Sequence, residues 1–506
     1  MAFDPVGILV LALLLQPAPP IAAEARGLLR ACEKFPDYNT EIDISLTCRY
    51  NVIMDSTPSR PQANPPMLID LPDEPDPQPA QPGPPLVGTP RFQAAVRNQV
   101  CFRSASLDEM IPQEHPVRVI WDYALKADLT PLYQRIKAVE RHSGRPPIDP
   151  RILFALWLYA TTRGVGSARL LDELCREKID YQWICGDVSV NYHTLADFRR
   201  DHGGLLDDLL TQSVAVLVAE DLVDLERVAQ DGMRVRASAG AASFRRQPTL
   251  EEALAEARAQ VETLRRERED DPKAANDRQQ QARRRAAEER AARVQAALAR
   301  LPEMEAKKKP GEKDKARCST TDPDATVMKM ANGGFNPAYN MQFATDTNSQ
   351  VIVGVDVVTV GSDQGQMEPM VRQIMDRYGK APEEYEVDGG FAKHEDIEAV
   401  SAPEVGCTVY APVQKPKDPK VDPHAPHPGD SAAVAEWRHR MGTDEAKAIY
   451  KDRAATAECV NALARQRGLV QLVVRGLAKV RAVALWHALA HNVLRMVALR
   501  AAVANA

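Results

Sequence analysis

The sequence predicts an α/β chain: a mixed sheet with a helical N-terminal domain and an inserted helical arm. Three observations carry this. Residues from about Phe102 to Leu225 show helical patterning. Strand-like runs begin near Val228 and later alternate with helical segments. Between them, residues 249–301 carry apolar residues at heptad spacing. At 506 residues the chain exceeds one core, so several domains are expected. Their boundaries read as an extension over 1–92, a helical domain over 93–225, and a sheet domain over 226–500 interrupted by the arm at 249–312.

The extension comes first. Gly7 to Leu15 is apolar, and Ile21-Ala22-Ala23-Glu24-Ala25 has the look of a cleavage site. Asp4 precedes the run without any Lys or Arg, which argues against a secretory signal, and the run is too short to span a bilayer. Residues 58–90 then hold twelve prolines, an extended linker. In the helical domain, Asp149 and Pro150 form a helix start before Arg151–Tyr159. Gly164-Val165-Gly166 ends that helix, Ser167 caps the next, and another begins near His193. Short helices and tight turns suit a helix-turn-helix-like DNA module or a simple packing bundle.

In the arm, Leu250, Leu254, Ala257, Val261 and Leu264 form a seam. Asp270-Asp271-Pro272 breaks it, and Val294, Leu298 and Leu301 resume it. Two antiparallel helices are expected. Arg283-Arg284-Arg285 and Lys307-Lys308-Lys309 offer phosphate contacts, although most of these charges fit a solvated face. Next, Ala338–Ala344 and Val351–Val358 flank a turn-rich Asp346-Thr347-Asn348-Ser349 and read as a hairpin. A helix over Gln364–Tyr378, a strand ending at Asp388, a strand at Cys407–Ala411, a loop over 414–430, a long helix from Asp444 and a closing amphipathic segment complete the order.

The net charge of −6 argues against a uniformly basic nucleic-acid binder. Residues 1–92 hold eleven acidic and six basic residues, so most of that charge lies in the extension. The eight cysteines form no C-x-x-C pair and read as reduced cytosolic thiols.

Three acids stand in distinctive settings: Asp231 and Asp388, each expected to end a strand and each followed by Gly, and Glu458 on the long helix. Singly, each Asp-Gly is an ordinary turn. Together they can converge at a sheet edge and hold divalent metal. At about 100° per residue, Tyr450, Arg453, Glu458 and Arg465 fall on one helical face. Asp356 and Asp363 are competing acids, with Asp363 expected to cap the following helix; His193 and His491 read as structural.

The element order resembles the ribonuclease H-like fold, and the local motifs resemble DDE transposases of bacterial insertion sequences. The motifs are Cys101-Phe102-Arg103-Ser104, the Pro146–Arg163 helix, Asn191-Tyr192-His193-Thr194, Tyr339-Asn340-Met341-Gln342 and the Tyr450/Arg453/Glu458 signature. The resemblance covers roughly residues 100–500. It implies Asp231, Asp388 and Glu458 as catalytic metal ligands for two Mg²⁺ ions, with Mn²⁺ substituting. One ion would activate water or a DNA 3′-hydroxyl and the other would stabilise the leaving oxygen. It implies DNA contacts by Tyr450, Arg453 and Arg465. It also implies double-stranded DNA partners (element ends and target), a homodimer on DNA, no membrane, and a cytoplasmic, nucleoid-associated location in a bacterium. The sequence departs from the family at Arg465 (usually Lys), at Cys459 and Asn461-Ala462 (usually Pro and an aromatic), and at Phe391 (usually Tyr). The alternatives are a catalytically impaired DNA-binding relic and a host nuclease of the same fold.

Overall fold

The computed structural model describes residues 104–138, 146–270, 278–416, 418, 421–451 and 453–505, and every structural statement concerns these. The extension over 1–92, Cys101-Phe102-Arg103 and the Asp271-Pro272 break lie outside the described residues.

Seven helices come first: α1 (Pro116–Lys126), α2 (Thr130–Tyr133), α3 (Pro150–Thr162), α4 (Ala168–Glu177), α5 (Ile179–Cys185), α6 (Tyr192–Asp201) and α7 (Gly203–Ala219). Their starts follow local chemistry. Asp149 accepts from the Arg151 amide at 2.8 Å, with Pro150 at the first position of α3. Ser167 accepts from Leu170 at 3.4 Å to start α4, and Asn191 from Thr194 at 3.0 Å to start α6. Each satisfies an amide that the helix leaves unpaired. Helix α3 is apolar on all sides, and eleven of its residues are buried. It is therefore the centre of the helical region rather than a surface helix.

The chain then enters β1 (Arg227–Arg236) and a short strand β2 (Phe244–Arg245). The arm follows as α8 (Gln247–Asp270) and α9 (Arg278–Ala306), which pack on each other. Leu250, near the start of α8, shares a core with Val294, Ala297 and Leu301 of α9, which requires antiparallel helices. Strand β3 (Cys318–Ser319) closes the arm by pairing with β2. Several arm charges pair along one surface, as in Arg284–Glu288 within α9 and Lys307–Glu303 at its end, and so belong to a solvated face.

The remaining elements are β4 (Thr326–Lys329), β5 (Phe335–Asp346), β6 (Ile352–Val358), α10 (Met367–Tyr378), β7 (Glu384–Glu386), α11 (His394–Ser401), β8 (Thr408–Tyr410), α12 (Ala432–Met441), α13 (Asp444–Lys451), a π-helical turn (Ala454–Glu458), α14 (Cys459–Gln466) and α15 (Leu477–Ala504). The six-stranded sheet runs β4-β5-β1-β7-β8, and β6 also pairs with β5. β1 is antiparallel to β5 and parallel to β7, which is parallel to β8. This mixed α/β sheet is consistent with a ribonuclease H-like fold carrying helical regions.

Helix α15 ties the sheet to the helical region. Asn492 both accepts from and donates to the backbone of Ile352 at 2.8 Å, and His491 bonds the Gln350 carbonyl at 2.8 Å. Trp486 is buried between Phe154 and Phe198. Of the two histidines read as structural, His491 is buried, whereas His193 is exposed beside the ring of its neighbour Tyr192. α15 is also long and apolar enough to cross a membrane, yet 61% of its apolar window is buried here, as in a core helix.

Three expectations need correction. Asp231 does not end its strand, because β1 continues antiparallel to β5 as far as Arg236 after its pairing with β7 has stopped at Ala229. The long helix from Asp444 is broken by the π-helical turn. Asp363 does not cap α10. It accepts from Asn340 at 2.6 Å, Gln342 at 2.8 Å and Arg234 at 3.1 Å, bonds that the helix cap would have to give up.

Asp346 gives a pH signature. Burial pushes its carboxyl up to about 6, against the bonds from Ser349 and with the nearby charge of Asp224 adding to the rise. A raised folded-state value means that stability is fully present below the ordinary carboxyl range near 3.8 and is lost as pH rises through about 6. Asp346→Asn mimics the protonated form. Its urea midpoint is expected to match wild type near pH 4 and exceed it at pH 7; equal pH profiles for the two proteins contradict this.

Candidate active site

The parallel pairing of β1 with β7 sets the geometry. Ala229 lies opposite Glu386. Asp231 and Asp388 each follow two residues later, Asp231 still on β1 and Asp388 just past the end of β7, and the charge of Asp388 acts on the Asp231 carboxyl. β7 stops at Glu386, and the Asp388-Gly389-Gly390 turn opens the sheet there. Asp388 is half-buried and accepts from the Gly390 amide at 2.7 Å.

Glu458 arrives from the other side. The π-helical turn packs Thr456 and Ala457 into the core against β1 and β5, and such turns often occur at functional sites. Arg453, just before it, is only 7% exposed. Its guanidinium lies 3.0 Å from Glu458 Oε1 and 4.0 Å from Asp231 Oδ1, and 5.7 Å from the ring centre of Tyr450. Glu458 keeps a side chain 56% exposed, open to a ligand.

Asp231 is the most enclosed of the acids. It accepts from Asn461 Nδ2 at 2.8 Å and from the Gly232 amide at 2.9 Å. Burial raises its carboxyl above the ordinary range; Arg453 and Asn461 pull it down, and the charge of Asp388 pushes it up again. Burial likewise raises the Tyr450 hydroxyl, on which Arg453, Asp388 and Glu458 all act. Asp231, Asp388, Glu458, Tyr450 and Arg453 therefore share one electrostatic neighbourhood. Arg465 is different. The wide turn absorbs an extra residue, so α-helical phase does not carry from Tyr450 to Arg465. Arg465 is exposed, and among the described residues it forms no ion pair with these acids.

Sequence reasoning missed Asn461, which looked like a departure from pattern and instead fixes the Asp231 carboxylate. Its place three residues after Glu458, one helical turn on, was the available signal. Asn461→Ala removes a hydrogen bond to a charged group, commonly about 1.5–3 kcal/mol. The strand cleavage that the resemblance implies is expected to slow about ten- to hundredfold in single-turnover assays. An unchanged rate with a normal unfolding midpoint contradicts that role.

The donor type, carboxylate oxygen with Asp231 strongly desolvated, is that of a hard divalent cation. Arg453 supplies positive charge between Asp231 and Glu458. Among the described residues no group of three His, Cys, Asp or Glu side chains is spaced to hold a metal.

The chain is an α/β protein with a mixed sheet and helical additions that bring Asp231, Asp388 and Glu458 into one neighbourhood. Comparison makes the class specific. Residues 105–201 match the family model described as Transposase domain (DUF772), and residues 414–497 match the Transposase DDE domain. These matches support a DDE transposase of an insertion sequence. The second spans Tyr450, Arg453, Glu458 and Arg465, whereas Asp231 and Asp388 lie outside both. Transposase families act on DNA, a DDE domain implies strand cleavage and transfer, and such proteins generally use divalent metals. No curated protein and no solved structure matches the chain.

Proposed function

We propose that this chain binds the terminal inverted repeats of its insertion sequence and catalyses metal-dependent strand cleavage followed by transfer of the freed 3′-hydroxyl to target DNA. The observation that supports this is the placement of Asp388, just past the end of β7, where its charge acts on Asp231, with Glu458 tied to Asp231 through Arg453. Asp231, Asp388 and Glu458 would hold two Mg²⁺ ions, with Mn²⁺ substituting. Bound there, the ions supply Lewis-acid activation of the attacking hydroxyl and neutralise charge at the phosphate. The protein's own part is positional. Asn461 and the Gly232 amide fix the Asp231 carboxylate, and Gly390 fixes that of Asp388. Arg453 holds Glu458 toward Asp231 and presents a guanidinium suited to phosphate. Tyr450 offers a ring and hydroxyl to DNA beside the acids, and exposed Arg465 offers a further phosphate contact.

We further propose the helical region over 93–225 as the DNA-binding and assembly domain. The region 226–500 is then the catalytic domain interrupted by the arm at 249–312, the chain works as a homodimer on paired ends, and the setting is the bacterial cytoplasm at the nucleoid. The test is nicking of terminal-repeat DNA with Mg²⁺ and with EDTA. Mg²⁺-dependent nicks at the repeat ends, followed by joined products, are expected. One observation favours a second reading, a DNA-binding relic: Arg453 already neutralises Asp231 and Glu458. Repeat-specific binding with no nicking in Mg²⁺ or Mn²⁺ selects the relic. Nicking without joining selects a nuclease.

A further inference from the structure

Away from the acids, a cavity of about 50 Å³ lies between α3, α6, the loop after α14, and α15. Its lining includes Trp157, Gly166, Arg199, Arg467, Trp486 and His487. A single water needs roughly 10–15 Å³ on this measure, so the space suits several waters or one tetrahedral oxyanion.

Its charge is one-sided. Arg199 is 7% exposed, lies 4.6 Å from the Trp157 ring centre and donates to the Gly166 carbonyl, but its buried Nε has no partner. Burial lowers both Arg199, to about 10, and Arg467, and no carboxylate acts on either. His487 Nδ1 is also buried without a partner. Burial, then the charges of Arg467 and Arg199, hold that imidazole down to about 3. A buried Arg199 and a half-buried Arg467 lining one cavity with no acid are costly unless an anion joins them. Guanidinium forks match phosphate oxygens, and the unpartnered buried Nε–H of Arg199, a residue lining this otherwise largely apolar cavity, is a donor without an acceptor.

We propose that this cavity binds a phosphate group, held by Arg199 and Arg467 with His487 beside them. The site is independent of the acidic edge, so it survives or fails apart from the catalytic reading. The group comes either from free inorganic phosphate or from the terminal phosphate of a DNA strand.

Equilibrium dialysis of the full chain against radiolabelled inorganic phosphate, with chloride at matched ionic strength, tests this. One phosphate per chain is expected for wild type. Binding should weaken at least tenfold in Arg467→Lys, which keeps the charge without the fork, and vanish in Arg467→Gln. Circular dichroism reports whether each variant folds; should Arg467→Gln not fold, Arg467→Lys and Arg199→Lys decide. Displacement of the label by a 5′-phosphorylated oligonucleotide, but not by its 5′-hydroxyl twin, assigns the occupant to a DNA end. Displacement by neither assigns it to the small anion. No phosphate bound to wild type, or equal binding in the folded variants, overturns the proposal.

Discussion

Asp388→Asn and Asp231→Asn are each expected to lower strand cleavage by about a thousandfold or more, a loss near 4 kcal/mol of transition-state stabilisation. Each keeps the side-chain volume and removes one anionic oxygen donor. The two should differ in stability. Burial raises the Asp231 carboxyl, so its ionised form is unfavourable to folding, and that cost is present at pH values above its folded-state titration. Asp231→Asn removes the cost at neutral pH. Its unfolding midpoint is expected to rise while cleavage disappears, the trade expected of a group kept for function. The same experiment on Asp388, which is half-buried, should leave the midpoint nearly unchanged. Retained cleavage in Asp231→Asn, or a large fall in its stability, would count against the site.

Gly232→Ala carries the largest expected structural effect. Gly232 follows Asp231 on the opposite face of β1. A methyl group there would lie 2.2 Å from Asp363 Oδ1 and 2.6 Å from Gln342 Nε2. Those atoms belong to the polar cluster in which Asp363 accepts from Asn340, Gln342 and Arg234. Overpacking costs typically about 1–3 kcal/mol, and each buried polar group left unpaired adds about 1–3 kcal/mol. A loss of roughly 3 kcal/mol in urea unfolding is expected. Shortening Asp363 makes room, so the Gly232→Ala/Asp363→Ala pair should be less destabilised than the sum of its singles. Simple additivity would show that the clash is not the cause.

Much of this arrangement was legible in the chain. Asp149-Pro150 and Ser167 announce helix starts because capping is local chemistry. The hairpin of β5 and β6 and the heptad arm follow from periodicity. Tyr450, Arg453 and Glu458 were legible as a group because one helical turn joins Tyr450 to Arg453. Features set by tertiary pairing were not legible. Asp231 reads as strand-terminal because Gly232 follows it, whereas β5 pairs with β1 through nine residues and carries it on to Arg236. The π-helical turn has no strong local signature, so the phase of Arg465 was misplaced. Asp363 looks like a cap until Asn340 and Gln342 of β5 and Arg234 of β1 claim its oxygens. Arg199 and Arg467, more than 260 residues apart in sequence, share a cavity that no local pattern foretells.

The most direct measurement replaces Mg²⁺ with Fe²⁺ in the protein bound to terminal-repeat DNA and maps where the iron-generated radicals cut the polypeptide. Breaks clustered near positions 231, 388 and 458, suppressed by excess Mg²⁺, are predicted. Breaks confined to other segments, or unaffected by Mg²⁺, would contradict a shared metal site at those three residues.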